Sequence, residues 1–136
     1  MARSPESYAG AWGRTRTEAV HYSCPCGLLL SAEVHRAVNA TRDPAVAARL
    51  RDGVLGRVSC PSCGQGGSVE VPVVYHDEER RQFVLVLPPG LRHRELEERA
   101  ELLLALARDA GAAIPPYVVE FKVVFGAAAL FALVAP

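Results

Sequence analysis

Four cysteines constrain the fold of this chain more than any other feature of its sequence. They occur as two pairs, Cys24 with Cys26 and Cys60 with Cys63, and 33 residues separate the two pairs. Structural zinc sites are tetrahedral, and two cysteine pairs on tight turns can each supply half of the ligands. The spacing therefore predicts a single Zn²⁺ ion bound by Cys24, Cys26, Cys60 and Cys63, which would join distant parts of the chain.

The two pairs differ in the number of residues between their cysteines. In the second pair, Pro61 restricts the backbone after the first cysteine, and Gly64 can take the positive φ with which the chain leaves such a turn. In the first pair a single residue, Pro25, separates Cys24 from Cys26. Side chains two residues apart on an extended segment share a face, so this pair can still chelate. The sequence leaves open whether the shortened turn completes a regular zinc site.

Two other interpretations concern the same segments. His21 lies three residues before Cys24 and offers a substitute ligand, but four thiolates already complete a zinc site, which favours an ordinary strand histidine. Cys60 and Cys63 also form the C-x-x-C spacing of redox-active dithiols, which usually stand at the start of a helix. The segments on both sides of this motif are predicted strands, so metal binding is favoured over thiol redox chemistry.

The composition is that of a globular domain without an excess of charge. Half of the 136 residues are hydrophobic, and 15 basic residues balance 15 acidic ones. This balance gives no electrostatic footprint for nucleic acid, and the best group of basic residues does not form one stripe. That group comprises Arg36, Arg42, Arg49, Arg51 and Arg57. Arginine supplies all but one of the basic residues, a bias typical of a GC-rich bacterial genome.

Residues 1–16 are rich in Gly, Ala, Ser and Arg and are predicted to form a flexible N-terminal tail, followed by one domain at 17–136. Two aromatic residues of the tail, Tyr8 and Trp12, either fold back onto the domain or contact a partner protein. No signal peptide is visible, and the apolar residues 123–136 are too few to span a bilayer. We therefore expect a cytoplasmic protein, in which cysteines favour metal binding over disulfides.

Alternation of apolar and polar residues, punctuated by turn residues, predicts strands along most of the chain. These strands lie at 17–23, 28–38, 54–59, 69–76, 83–87 and 117–125. A short linker helix at 44–52 follows Asp43 as its N-cap, and a second short helix is predicted at 127–134. The longest helix spans 94–110 and is predicted to bury one apolar face. That face comprises Leu96, Ala100, Leu103 and Ala107.

Residues 77–82 form a charged turn between two predicted strands. Asp77 is expected to open the turn by accepting hydrogen bonds from backbone N–H groups. His76 and Asp77 are adjacent in an extended segment, so their side chains point to opposite faces and do not form a catalytic pair. A catalytic role of His76 is therefore not favoured.

Three motifs taken together resemble the CpXC domain family of bacteria and archaea. They are Cys-Pro-Ser-Cys-Gly at 60–64, Val-Val-Tyr-His-Asp at 73–77 and Phe-Val-Leu-Val-Leu-Pro at 83–88. The family carries two Cys-Pro-x-Cys-Gly knuckles, a linker with a helix between them, and a Tyr-His-Asp hairpin after the second knuckle. The resemblance implies a zinc-ribbon part at 17–88, continued by a helix and strand extension at 89–136. It implies a fold and a metal only, because no biochemical activity is established for the family.

These observations predict an α+β fold: a zinc-ribbon-like antiparallel sheet with a short linker helix, one longer amphipathic helix and a C-terminal strand and helix. Four cysteines leave no open position on the metal, so we expect no enzymatic activity, and the sequence identifies no small-molecule substrate. The predicted function is that of a protein-interaction or scaffold subunit of a bacterial assembly, bound to a protein partner or to further copies of itself. Two alternatives remain: an accessory of nucleic-acid or transcription machinery, and a thiol redox protein.

Overall fold

In the residues that the structure describes, the chain forms a five-stranded sheet, a two-stranded sheet and four α-helices. The computed structural model describes residues 8, 10, 13–110 and 113–135. The strands are β1 (Arg16–Ser23), β2 (Leu29–Asn39), β3 (Arg57–Ser59), β4 (Gly66–Ser68), β5 (Val73–Asp77), β6 (Gln82–Leu87) and β7 (Lys122–Phe125). The helices are α1 (Pro44–Arg51), α2 (Glu95–Ala110), α3 (Pro116–Val119) and α4 (Ala127–Val134), and a 3₁₀ segment at Pro89–Arg94 precedes α2. The predicted α+β class is confirmed.

The larger sheet has the strand order β1-β2-β5-β6-β7 and mixes antiparallel with parallel neighbours. β1 with β2 and β5 with β6 run antiparallel, as predicted. β2 with β5 and β6 with β7 run parallel, which differs from the antiparallel sheet that the sequence predicts. The reason is that the chain leaves β2 through α1 and leaves β6 through α2, and crossovers that contain a helix return the chain in the same direction.

Helices cover both faces of the larger sheet, so its central strands are buried on both sides. Val74 of β5 belongs to an apolar cluster that includes Leu102 of α2. The adjacent Tyr75 belongs to a second cluster that includes Leu130 of α4. Successive side chains of a strand point to opposite faces, which explains why residues 83–87 of β6 are all buried.

The longest helix lies close to its predicted boundaries, but its predicted buried face is wrong. The buried residues of α2 are Glu98, Leu102, Ala105 and Leu106. The residues of the predicted face are all exposed: Leu96, Ala100, Leu103 and Ala107. Glu98 accepts hydrogen bonds from the hydroxyl of Tyr8 and from the guanidinium of Arg94, so a carboxylate lies inside the domain. A pattern that assigns charged residues to solvent therefore selects the opposite side of the helix.

The N-terminal segment, predicted to be a flexible tail, contacts the domain through its described residues. Tyr8 is buried in the apolar cluster beneath α2. The hydroxyl of Thr15 donates a hydrogen bond of 2.5 Å to the carboxylate of Asp43 and accepts one of 2.9 Å from the backbone N–H of Asn39. These contacts favour the interpretation in which Tyr8 folds back onto the domain, while Trp12 lies outside the described residues.

The linker helix α1 begins at Pro44, as predicted, and the chain turns at Gly53, whose φ is +74°. The side chain of Asp43 makes no cap hydrogen bond with α1. Its carboxylate accepts the hydrogen bond of Thr15 instead. The predicted start of the helix is therefore correct, while the predicted capping bond is replaced by a contact with the N-terminal segment.

The C-terminal segment packs back onto the sheet through two short helices and one strand. The strand predicted at 117–125 is reduced to β7, because α3 occupies its first residues. α4 lies where the sequence predicts a helix, and it buries Leu130 and Val134. Within the part of the chain that the structure describes, no helix combines the length and the apolar character needed to cross a bilayer.

Candidate metal centre

Two hairpin turns bring the four cysteines together. The turn between β1 and β2 carries Cys24 and Cys26, and the turn between β3 and β4 carries Cys60 and Cys63. In both hairpins the strands are paired up to the residues that flank the turn. The ladder hydrogen bonds of each hairpin therefore position its pair of sulfurs.

The four sulfur atoms form a compact group. The Sγ atoms of Cys24 and Cys63 lie 3.6 Å apart, those of Cys26 and Cys60 lie 3.7 Å apart, and all four lie within 4.8 Å of one another. A tetrahedral ion with Zn–S bonds of about 2.3 Å requires sulfur separations of roughly 3.8 Å. The donor set and its spacing fit one metal ion. Because these two separations join sulfurs of different turns, an ion at this position would cross-link the hairpins.

The shortened first turn reproduces a hydrogen bond of the second turn with one residue fewer. The N–H of Gly64 donates to the carbonyl of Cys60, and the N–H of Gly27 donates to the carbonyl of Cys24. The distance from nitrogen to oxygen is 2.8 Å in both. The φ angle is +75° at Gly64 and +96° at Gly27, a backbone conformation that glycine adopts without steric cost. In both turns the backbone leaves the sulfur group through a glycine with positive φ. The single-residue spacing therefore still directs both sulfurs of the first pair inward.

The two turns place unequal numbers of N–H groups near the two buried sulfurs. The backbone N–H of Cys63 lowers the pKa of Cys60 most, burial opposes it, and the N–H of Ser62 helps to bring that pKa to about 7. At Cys24 the backbone N–H of Cys26 lowers the pKa, but burial and the neighbouring sulfurs outweigh it and raise the pKa to about 12. Because the first turn is one residue shorter, the sulfur of Cys24 has one backbone N–H donor fewer than the sulfur of Cys60. A divalent ion would stabilise the thiolate form of both cysteines.

His21 does not belong to this group. It is exposed on β1, opposite Ser31 of β2. Among the described residues, the side chains that come close enough to share an ion here are the four cysteines. The structure therefore brings together all four residues predicted as ligands and leaves His21 as an ordinary strand histidine.

His76 is buried in the sheet. Its Nε2 atom lies 2.6 Å from the hydroxyl oxygen of Tyr117, and its ring packs edge-on against Phe83 at a centroid distance of 5.1 Å. Burial lowers the pKa of His76, although acidic residues of the following turn partly oppose this. The carboxylate of Asp77 accepts a hydrogen bond of 3.1 Å from the backbone N–H of Arg80, so it opens the turn as predicted.

The arginines considered for nucleic-acid binding do not share one surface. Arg36 is buried, its Nη1 atom lies 2.6 Å from a carboxylate oxygen of Glu18, and its Nε donates to the carbonyl of Pro72. Arg51 donates a hydrogen bond of 3.2 Å to the hydroxyl of Tyr75. The exposed members of the group are Arg42, Arg49 and Arg57. A basic patch of five residues is therefore reduced to three.

Two exposed apolar surfaces are not among the features predicted from the sequence. Leu29 is 79% exposed directly after the first turn, and the neighbouring Leu28 is exposed as well. On α2, the exposed leucines are Leu96, Leu103 and Leu104. The available signal for the α2 surface is that the helix carries apolar residues on two sides, of which only one can face the sheet.

The comparison with known families matches most of the domain. The family described as "CpXC protein" matches residues 22–133. This region contains both cysteine pairs, the helices α1, α2 and α3 and all but the last residue of α4, and it extends well beyond residue 88, where the recognisable motifs end. No curated protein and no solved structure matches the chain.

Proposed function

The chain belongs to the CpXC family, and from this membership and the four-sulfur group we propose that it is a non-enzymatic zinc-binding module that acts through protein–protein contacts as a scaffold subunit of a bacterial assembly. The observation that carries the metal part is that four Sγ atoms lie within 4.8 Å of one another. Four thiolates at tetrahedral spacing suit zinc among the common metals. A cytoplasmic location stays a prediction of the sequence.

The ion would stabilise a part of the fold that has few other contacts to hold it. β3 and β4 contain three residues each, and residues 61–68 are all exposed. An isolated hairpin is at best marginally stable in water. Structural zinc contributes an apparent ~10–16 kcal/mol in small zinc domains, against ~5–15 kcal/mol for the net stability of an ordinary domain. Binding of the ion would therefore fix the β3–β4 hairpin against the turn between β1 and β2.

Two features support a binding role over catalysis. Four protein sulfurs fill a tetrahedral coordination sphere, which leaves no position for a water molecule or a substrate. His76, the histidine next to the charged turn, is buried against Tyr117 and Phe83. The leucines Leu28 and Leu29 add an exposed apolar surface beside the sulfurs, and surfaces of this kind mark contacts with other proteins.

The proposal is tested on the purified full chain by measuring bound metal and free thiols. We expect mass spectrometry of the metals to find one zinc ion per chain, and we expect few thiols to react with a colorimetric reagent until a strong chelator is added. A chain without metal, in which Cys60 and Cys63 form a reversible disulfide, would favour the redox alternative. A salt-dependent gel shift at low ionic strength would favour the nucleic-acid alternative.

A further inference from the structure

The exposed side of α2 carries an apolar stripe with the spacing of a coiled coil. Leu96, Ala100, Leu103 and Ala107 follow one another at intervals of four, three and four residues. This is the alternation of d and a positions in a heptad, with leucine at d and alanine at a. At about 100° per residue the stripe lies opposite the buried face of the helix, so its side chains point away from the domain.

We propose that this α2 stripe binds the α2 stripe of a second copy of the chain, with the two helices antiparallel. The inference rests on the interaction role proposed above and specifies its partner. In an antiparallel pair, Leu96 faces Ala107 of the second copy, and Ala100 faces Leu103 of the second copy. Every leucine then packs against an alanine, and large side chains opposite small ones interdigitate without voids.

A parallel pair of the same helices would pack less well. It would place Leu96 and Leu103 against their own counterparts, and it would place Ala100 and Ala107 against theirs. Leucine layers would hold the helices apart, and the alanine layers between them would be left underfilled, which costs packing energy. The macrodipoles of the two helices would also point in the same direction, whereas an antiparallel pair opposes them.

Charges beside the stripe fit the antiparallel arrangement. Glu97 and Arg108 are both exposed, and helical geometry places them on the same flank of the stripe, at opposite ends of α2. In the antiparallel pair, Glu97 of one copy lies beside Arg108 of the other, and the two-fold axis repeats this contact. The acidic first turn of each helix thus meets the basic last turn of its counterpart.

The pattern favours a second copy over an unrelated partner because it is complementary to itself. The order Leu-Ala-Leu-Ala becomes Ala-Leu-Ala-Leu when the helix is reversed, so a two-fold rotation supplies each side chain with its complement. The stripe extends over roughly 17 Å at the rise of an α-helix. A contact of this length is small compared with permanent interfaces, so we expect a reversible dimer that forms as the concentration rises.

Sedimentation velocity of the full chain over a concentration series tests the dimer. Leu103→Glu places a charge in the middle of the stripe, at a side chain that is already 44% exposed, and should raise the dissociation constant about ten-fold or more. Val119→Glu is the control, since it places the same charge at an apolar side chain of α3 that is also 44% exposed and should leave the dissociation constant unchanged. Circular dichroism and zinc content verify that both variants are folded.

Charge reversal tests the orientation. Glu97→Arg and Arg108→Glu should each weaken the dimer, and the two changes in one chain should restore it, because each contact is formed again with opposite signs. A chain that is monomeric at every concentration, or a dimer that Leu103→Glu does not weaken, would overturn the proposal. A double variant that fails to recover would overturn the antiparallel orientation. Zinc content and thiol titration test the metal-binding function separately, so each of these failures can be told apart from a failure of that function.

Discussion

The Nε2 atom of His76 on β5 lies 2.6 Å from the hydroxyl oxygen of Tyr117 on α3. α3 is four residues long, and this hydrogen bond ties it to a buried position of the sheet. Burial lowers the pKa of His76 and raises the pKa of Tyr117, so both groups are neutral near pH 7. The bond therefore joins two neutral groups, and it anchors the C-terminal segment without help from charge.

Removal of the hydroxyl in Tyr117→Phe should destabilise the domain. The ring of His76 would lose a hydrogen-bond partner in a buried site, which costs about 1–3 kcal/mol of unfolding free energy. Urea denaturation measures the change. Tyr22→Phe, at a partly buried tyrosine of β1, is the control and should have a much smaller effect; equal effects in the two variants would contradict the role of the His76–Tyr117 bond.

Protonation of His76 should destabilise the domain in acid. Burial lowers its pKa in the folded chain, with partial opposition from Glu78 and Asp77, so the unfolded chain, with a histidine pKa of about 6.5, binds this proton more readily. The stabilisation that comes from keeping His76 neutral is complete above about pH 6.5, the pKa of histidine in the unfolded chain. It is lost as the pH falls from there through the lower pKa of His76 in the folded chain.

The measurement is the unfolding free energy between about pH 7.5 and pH 5.5, for the natural chain and for His76→Gln. The natural chain should lose more stability over this range than the variant. His35, whose pKa is also lowered by burial, and the cysteine group are present in both chains, so the difference isolates His76. Parallel pH profiles would show that His76 does not contribute.

Loss of one sulfur should release the metal and open the β3–β4 hairpin. Cys63→Ser removes a quarter of the ligand set, and the apparent ~10–16 kcal/mol of structural zinc binding would be largely lost. We expect a lower zinc content and faster amide exchange in β3 and β4, with protection retained in β5 and β6. Ser62→Ala changes an exposed side chain of the same turn and should leave both quantities unchanged. A Cys63→Ser variant with the zinc content and amide exchange rates of the natural chain would count against a structural ion.

Glu98→Ala should destabilise the chain far more than the same change at the preceding residue. Glu98 is buried and accepts hydrogen bonds from Tyr8 and Arg94, so its removal takes away the carboxylate to which both groups donate and should cost about 2–4 kcal/mol. Glu97 is exposed, so Glu97→Ala should lower the unfolding free energy by less than about 0.5 kcal/mol. Both are measured by denaturant unfolding at a protein concentration low enough to keep the chain monomeric. A similar cost for the two substitutions would contradict the buried network.

The sulfur group was predictable because its information is local. The spacing within each cysteine pair, together with the glycine that follows it, specifies a turn that aims two sulfurs at one point. The strand that precedes each pair is equally visible in the alternation of apolar residues. Two such turns need only meet for the group to form, and the four sulfurs do meet.

The buried side of α2 and the parallel strand pairs were not predictable in the same way, because they depend on distant residues. Glu98 is buried because Tyr8, 90 positions away, donates to its carboxylate. Nothing in the helical repeat of α2 signals this contact. The parallel pairing of β2 with β5 likewise depends on the path that the chain takes through α1 and the β3–β4 hairpin. The alternation of apolar and polar residues within a strand does not indicate the direction of the neighbouring strand.

The β3–β4 hairpin is an insertion between two strands that are already neighbours. β2 and β5 pair directly, with Ala37 opposite Val74, and the hairpin departs from and returns to this seam. If the four sulfurs hold a metal ion as proposed, loss of that ion should leave the main sheet assembled and the inserted hairpin loose. On the proposed function, the strands of the main sheet form a frame that assembles without the metal, and the inserted hairpin is the part that responds to it.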